Sequence, residues 1–246
     1  MTPADQTELA AAVTALEQGR ADEAIGKLEG LADRGVVGSG IAFDRGLAYA
    51  SRARGGLGLA GDLGRSAHAF EEALRREPHD DASRTALDEV RKEIARREVA
   101  AGWKAEEVGA PPMWRALVIA APGDVWTGIA LVGAICVSVA LAVRPSARRG
   151  MRLAASTVAI VAIVITASSA ALGLGARYLR SHVHEAVVVT PSTMAKRDGD
   201  VEPLRLVEGT RVDLLEERLT DAHVRMEKGD GWVPRSALRA LPPYRP

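Results

Sequence analysis

The chain has 246 residues, 32 basic and 32 acidic side chains, a mean hydropathy near zero and one cysteine. A single thiol excludes an internal disulfide framework and a cysteine-rich metal site, and Cys136 reads as a small apolar packing residue. The balanced charge hides a division: residues 1–124 carry 16 basic and 21 acidic groups, 125–180 carry six and none, and 181–246 carry 10 and 11; no soluble part is basic enough to point to nucleic acid.

From Glu8 the spacing of Leu9, Val13 and Leu16 predicts a helix, broken at Gly19 and followed by a second with Ala24, Ile25, Leu28 and Leu31 on one face. A further pair carries Ile41, Phe43, Leu47 and Tyr49, then Ala67, Phe70, Ala73 and Leu74, and closes at Pro78. Thr85–Ala100 reads as a charged capping helix with a solvated face. Gly46 with Tyr49, then Phe70, Ala73 and Pro78, resemble the small, aromatic, alanine and proline positions of the tetratricopeptide (TPR) repeat. The loop RARGGLGLAGDLG is about eight residues longer than the turn of that repeat. The resemblance implies stacked helical pairs over residues 1–100 that bind a protein partner. Two pairs and a cap fall short of the roughly three repeats a free solenoid needs, so a partner or a membrane-side contact is expected to complete the stack.

Residues 101–124 read as a linker whose MWRALVIAA stretch, Met113–Ala121, lies along a membrane surface. Residues 125–143 and 153–176 contain no charged side chain, and each is long enough to cross a hydrocarbon core about 30 Å thick. Both are read as transmembrane helices. Between them, residues 144–152 hold Arg144, Arg148, Arg149 and Arg152, and short arginine-rich loops stay on the cytoplasmic side. These four arginines are the topology determinants: the turn is expected inside and both soluble regions on the envelope side of a bacterial inner membrane. MTPADQTELA lacks the basic start and apolar stretch of a signal peptide, so either the true start lies upstream, the preferred reading, or the amino-terminal part stays in the cytoplasm against the arginine rule. Small residues recur every four positions, at Ala130, Ala134, Ser138 and Ala142 and at Ala155, Ala159, Ala167, Ala171 and Gly175, and these stripes are expected to form the seam of the hairpin.

Beyond the second span the apolar period becomes two. Val187 and Val189, Leu204 and Leu206, Val212 and Leu214, Val224 and Met226, and Trp232 predict five short strands separated by turns. The segment LVEGTRVDLLEE…HVRMEKGDGWVPRSAL resembles the bacterial SH3-like (SH3b) domain over residues 184–241. Its pattern positions are filled here by Gly209, Gly231, Trp232 and Val233, with STMAKRDGD where the family has an early strand. Trp232 reads either as a core residue of a small barrel or as a ligand-stacking aromatic.

No phosphate-cradling glycine loop, His-Glu-x-x-His sequence or nucleophile elbow occurs. His182 and His184 lack further ligands nearby, and the paired acids Glu71–Glu72 and Glu216–Glu217 read as solvated runs, so neither a metal, a cofactor nor enzymatic activity is expected. The fold class is thus a multidomain membrane protein with TPR-like repeats, a two-helix transmembrane hairpin and an all-β SH3b-like barrel. That order resembles the BatE-type proteins of the Bacteroides-aerotolerance group. The resemblance implies a scaffold or adaptor for protein–protein interaction in a stress-tolerance complex, with a MoxR-type ATPase and von Willebrand factor A membrane proteins as partners. The alternative is a cell-wall-binding sensor, or an accessory of a peptidoglycan enzyme.

Overall fold

The computed structural model describes residues 1–56, 58–103, 123–143, 149–197, 202–226 and 229–243. The chain divides into two compact units, one holding the described residues of Met1–Ala110 and His184–Arg245, the other those of Pro111–Val183. It is a mixed helical and β protein with small antiparallel sheets and two long apolar helices.

In the first unit, helices α1 (Pro3–Glu17), α2 (Ala21–Asp33), α3 (Ser39–Arg54), α4 (Asp62–Arg76) and α5 (Asp81–Ala100) follow one another through short turns. α1 begins at Pro3, five residues before the start expected at Glu8. Thr2 caps it, its side chain accepting from the Asp5 N–H at 3.2 Å while the Asp5 carboxylate accepts from the Thr2 N–H at 2.8 Å, and Pro3 sets the first turn. Ala12, Ala15, Ile25, Leu28, Ala48 and Tyr49 bury one cluster between α1, α2 and α3.

Among the described residues the β part has seven strands rather than five. β1 (His184–Val188), β4 (Arg211–Glu217), β5 (Asp221–Met226), β6 (Gly229–Pro234) and β7 (Leu238–Ala240) form a sheet in the order β6-β5-β4-β1-β7, and β2 (Ser192–Ala195) pairs with β3 (Leu204–Val207). Sequence reading missed β7, which follows a 3₁₀ turn at Arg235–Ala237, and β2, which occupies the STMA stretch. Ala186, Val188, Ala195, Leu206, Val212, Ala222, Val224 and Val233 fill the space between the two sheets.

Helices and sheet share a second core, in which Leu63, Ala67, Phe70, Leu87, Val90 and Ile94 meet Val187, Val207 and Leu241. β1 is therefore covered on both faces, with Ala186 and Val188 toward the paired sheet and Glu185 and Val187 toward α4. An apolar strand of this kind shows no preferred side in its sequence. The sheet of the same chain thus covers α4. The long loop is shorter than read, Gly55–Gly61, because the helices take up its ends. Gly61 (φ 85°) and Gly64 pass against β1, where an added Cβ would lie 2.0 Å from the Val189 carbonyl oxygen and 2.7 Å from that of Val188. Only glycine permits that approach.

The second unit contains α6 (Gly123–Val143) and α7 (Arg149–His182). Asp124–Val143 and Ala155–Tyr178 are long and apolar enough to cross a membrane. Their contact face is not the four-residue stripe expected. In α6, Ala134 and Ser138 are exposed, whereas Gly133 and Ala140 are buried; in α7, Ala159, Ala162, Ser169 and Ala176 are buried, whereas Ala167 and Ala171 are exposed. Alternating steps of three and four keep a seam facing its neighbour when two helices cross at a shallow angle, while strict steps of four drift off it. A Cβ at Gly133 would sit 2.3 Å from Thr166 Oγ1. The interfacial stretch Met113–Ala121 and the side chains of Arg144, Arg148, Arg149 and Arg152 lie outside the described residues.

Candidate functional site

Two arrangements in the first unit bring functional side chains together. The first is the seam between α4 and the sheet. Gly64, His68, Glu71 and Arg75 recur at steps of four, three and four, which places them on one stripe of α4, about 100° round the helix from the stripe of Ala67, Phe70 and Leu74. The Gly64 N–H donates to Glu208 at 3.0 Å, His68 Nε2 meets the Ala240 carbonyl at 3.0 Å, and the Arg75 guanidinium pairs with Glu185 while donating to the Pro242 carbonyl at 2.7 Å. Glu71 accepts from Arg91 at 2.5 Å and also pairs with Arg211. Burial alone would push the Glu71 carboxyl up, but Arg211, Arg91 and Arg75 hold it below the usual carboxylate range. Around this line, Arg239 donates to Glu29 at 2.8 and 3.0 Å, and Arg205 donates to Glu98. Glu71 and Glu72 are thus buried and paired, Glu72 with Arg45 and Arg76, and are not the solvated run expected. Sequence reading missed the stripe because a polar helix face looks the same whether water or an opposing set of charges covers it.

The TPR-like positions lie beside this seam. Gly46 lies beneath Phe70, where an added Cβ would stand 2.6 Å from the ring, and Ser66 Oγ donates to the Gly46 carbonyl at 2.8 Å. Tyr49 is buried, its hydroxyl donating to Glu29 at 2.8 Å, and burial with the Glu29 charge pushes its pKa up to about 12. Ala73 is buried and Pro78 is exposed just past the end of α4, which it cannot extend. On α3, Asp44 is half-buried between the half-buried Phe43 and Leu47, burial raises its pKa, and it makes no ion pair among the described residues.

The second arrangement is a cleft of about 490 Å³ lined by Thr193, Met194, Lys196, Arg197, Arg218, Asp221, Trp232 and Pro234. Gly209 (φ 76°) does not line it: it turns the chain between β3 and β4, before the start of β4, with its N–H bonded to the Val188 carbonyl at 2.8 Å. Lys196 and Trp232 exchange backbone hydrogen bonds of 2.8 and 2.7 Å, the only bridge between the two sheets among the described residues. Gly231 permits it, since a Cβ there would stand 3.0 Å from the Lys196 carbonyl oxygen. Val233 points into the core, so its neighbour Trp232 points out. Trp232 is therefore half-buried and not a core residue: the His223 ring stacks on it with centroids 4.8 Å apart, and the Arg218 guanidinium lies 3.8 Å from its ring centre. A β-bulge between Leu214 and Glu216 twists β4 just before Arg218. His223 also meets Asp230 at 3.0 Å. Three cations around an aromatic floor suit an anionic ligand with an apolar part. Glu216 and Glu217 pair at the surface with Arg218 and Arg235. No group of three His, Cys, Asp or Glu side chains that could hold a metal occurs among the described residues.

No protein-family model, curated protein or solved structure matches this chain.

Proposed function

We propose that this protein is a membrane-anchored, non-enzymatic scaffold in which TPR-like helical pairs and an SH3b-like barrel act as one adaptor body. The observation that carries this reading is the packing of α4 onto β1 and β4 through Arg75–Glu185 and Glu71–Arg211, with α2 joined to β7 through Glu29–Arg239. Segments that precede and follow two apolar helices share a core, which suits two membrane crossings that return the chain to the face it left. The short-loop arginine bias argues for the envelope face of a bacterial inner membrane. Partner binding is assigned to the α3 face around Asp44, where a half-buried carboxylate with no ion pair among the described residues suits a cationic segment. The BatE-type resemblance suggests von Willebrand factor A proteins and a MoxR-type ATPase as occupants. The test is affinity capture of the full chain in mild detergent, comparing Asp44→Asn with the native chain: selective loss of one captured protein supports the scaffold, and an identical captured set overturns the assignment of that face. Labelling by an impermeant maleimide at Ser39, Ser146 or Ser192 changed to Cys, in a Cys136→Ser background, reads the side.

One observation favours a second reading. The half-exposed Trp232 among Lys196, Arg197 and Arg218 suits a carboxylate-bearing cell-wall fragment. Calorimetric titration of peptidoglycan fragments decides it: saturable heat that Trp232→Ala abolishes favours cell-wall binding, and its absence favours the scaffold.

A further inference from the structure

The cleft and its rim lie at one end of the sheet. Asp221 pairs with Pro234 and Ala222 with Val233, so the β4–β5 turn at 218–220 and the end of β6 share that end. β1 enters the sheet there as well: His184 stands opposite Leu214, and β4 runs on to Glu217 and the turn, about 10 Å beyond at ~3.3 Å per residue. The tip of the turn is Leu219, 95% exposed, and Met194 on the cleft wall is 55% exposed. An apolar tip with a tryptophan and an arginine behind it has the composition of a membrane-interface anchor, in which an aliphatic group enters the acyl margin, the ring lies at headgroup level and cations meet phosphate.

Chain length limits how far this end can stand from a bilayer. The second apolar segment ends at Tyr178 and β1 begins at His184; six residues reach at most about 20 Å. The turn lies at the sheet end where the chain arrives. Charge agrees with this placement. The cleft lining holds Lys196, Arg197 and Arg218 against one acid, Asp221, while Glu216 pairs with Arg218 at 3.0 Å on the strand behind.

Resting on the reading that α6 and α7 cross a bilayer, we propose that the β4–β5 tip and the Trp232 cleft dock onto the phospholipid surface of that same bilayer. Leu219 and Met194 enter its margin, and Lys196, Arg197 and Arg218 take a headgroup phosphate.

The test uses the full chain, Cys136→Ser, purified and reconstituted in phosphatidylcholine vesicles with and without phosphatidylglycerol. A nitroxide is placed at Thr220→Cys on the tip or at Leu59→Cys in the α3–α4 loop, near the far end of β1. Electron paramagnetic resonance then compares collision with oxygen, which enriches in lipid, and with a water-soluble nickel chelate. The expected result is lipid-side accessibility at 220, aqueous accessibility at 59, deeper burial of 220 when phosphatidylglycerol is present, and loss of the lipid signature at 220 in Leu219→Asp. Water-like accessibility at 220 in vesicles that carry the protein through flotation and alkaline washing overturns the docking and leaves the anchor standing. Failure to float overturns the anchor and the docking together. A lipid signature indifferent to phosphatidylglycerol overturns the role given to the three cations.

Discussion

Gly46 and Phe70 show how closely single residues are fitted. With a Cβ standing 2.6 Å from the Phe70 ring, Gly46→Val must push α3 and α4 apart, and overpacking of this kind costs about 1–3 kcal/mol. Urea denaturation followed by circular dichroism should show that loss, and Phe70→Leu in the same chain should recover part of it, because the two sites couple. His68 adds a pH dependence. Burial lowers its pKa from 6.5 to about 4, against the opposing pull of the Ala240 carbonyl. The unfolded chain therefore binds the proton first, and stability present above pH 6.5 falls on acidification toward pH 4, by on the order of 3 kcal/mol. Glu71 and Glu29, held below the usual range by their arginines despite burial, extend the loss below pH 4.5. Glu208, raised by burial, runs the other way and regains stability as it protonates. Melting curves across this range should show the slope, and His68→Gln should flatten the part between pH 6.5 and 4.

Elements carry the next level of specification. α4 packs on two sides, with an apolar stripe toward α3 and α5 and a polar stripe toward the sheet, and it needs both to be buried. The α6–α7 pair depends instead on which small residues meet. Gly133→Leu, aimed at Thr166 Oγ1 from a Cβ position 2.3 Å away, should destabilise the hairpin by about 1–3 kcal/mol in a detergent unfolding assay. Ala134→Leu, on the exposed face, should leave the same transition unchanged. An equal effect of both would contradict the observed seam.

In the whole molecule, segments about 110 positions apart in sequence are joined by charges that water cannot reach. Removing one member of a buried pair leaves the other charge uncompensated and costs about 3–5 kcal/mol. Glu185→Gln should therefore strand Arg75, lower the melting temperature of the first unit and expose α4 to protease ahead of the other helices. The native chain should melt the helical pairs and the sheet in one transition, because Phe70, Val90, Val187 and Val207 belong to one core. Two well-separated transitions by calorimetry would count against that shared core.

The sequence by itself determined the features with local causes. Uncharged runs of about 20 residues marked the two apolar helices, period-3.6 patterns with Gly19 and Pro78 marked the helical pairs, and alternating valines with turn glycines marked the β segment. Thr2-Pro3-Ala4-Asp5 was equally legible as a capping box, although the apolar pattern pointed to a later start. What only the tertiary structure decided was which face each pattern presents. Trp232 and Val233 are neighbours of opposite orientation, and the register of β6 on β5, not their composition, sends the valine inward and leaves the tryptophan in the cleft. The stripe of Gly64, His68, Glu71 and Arg75 would serve equally well against water. Only the arrival of Glu208, Ala240, Arg211 and Glu185 from the other end of the chain makes it an interface. Local propensity is written in neighbouring residues, but complementarity between distant segments becomes visible only when the fold brings them into contact.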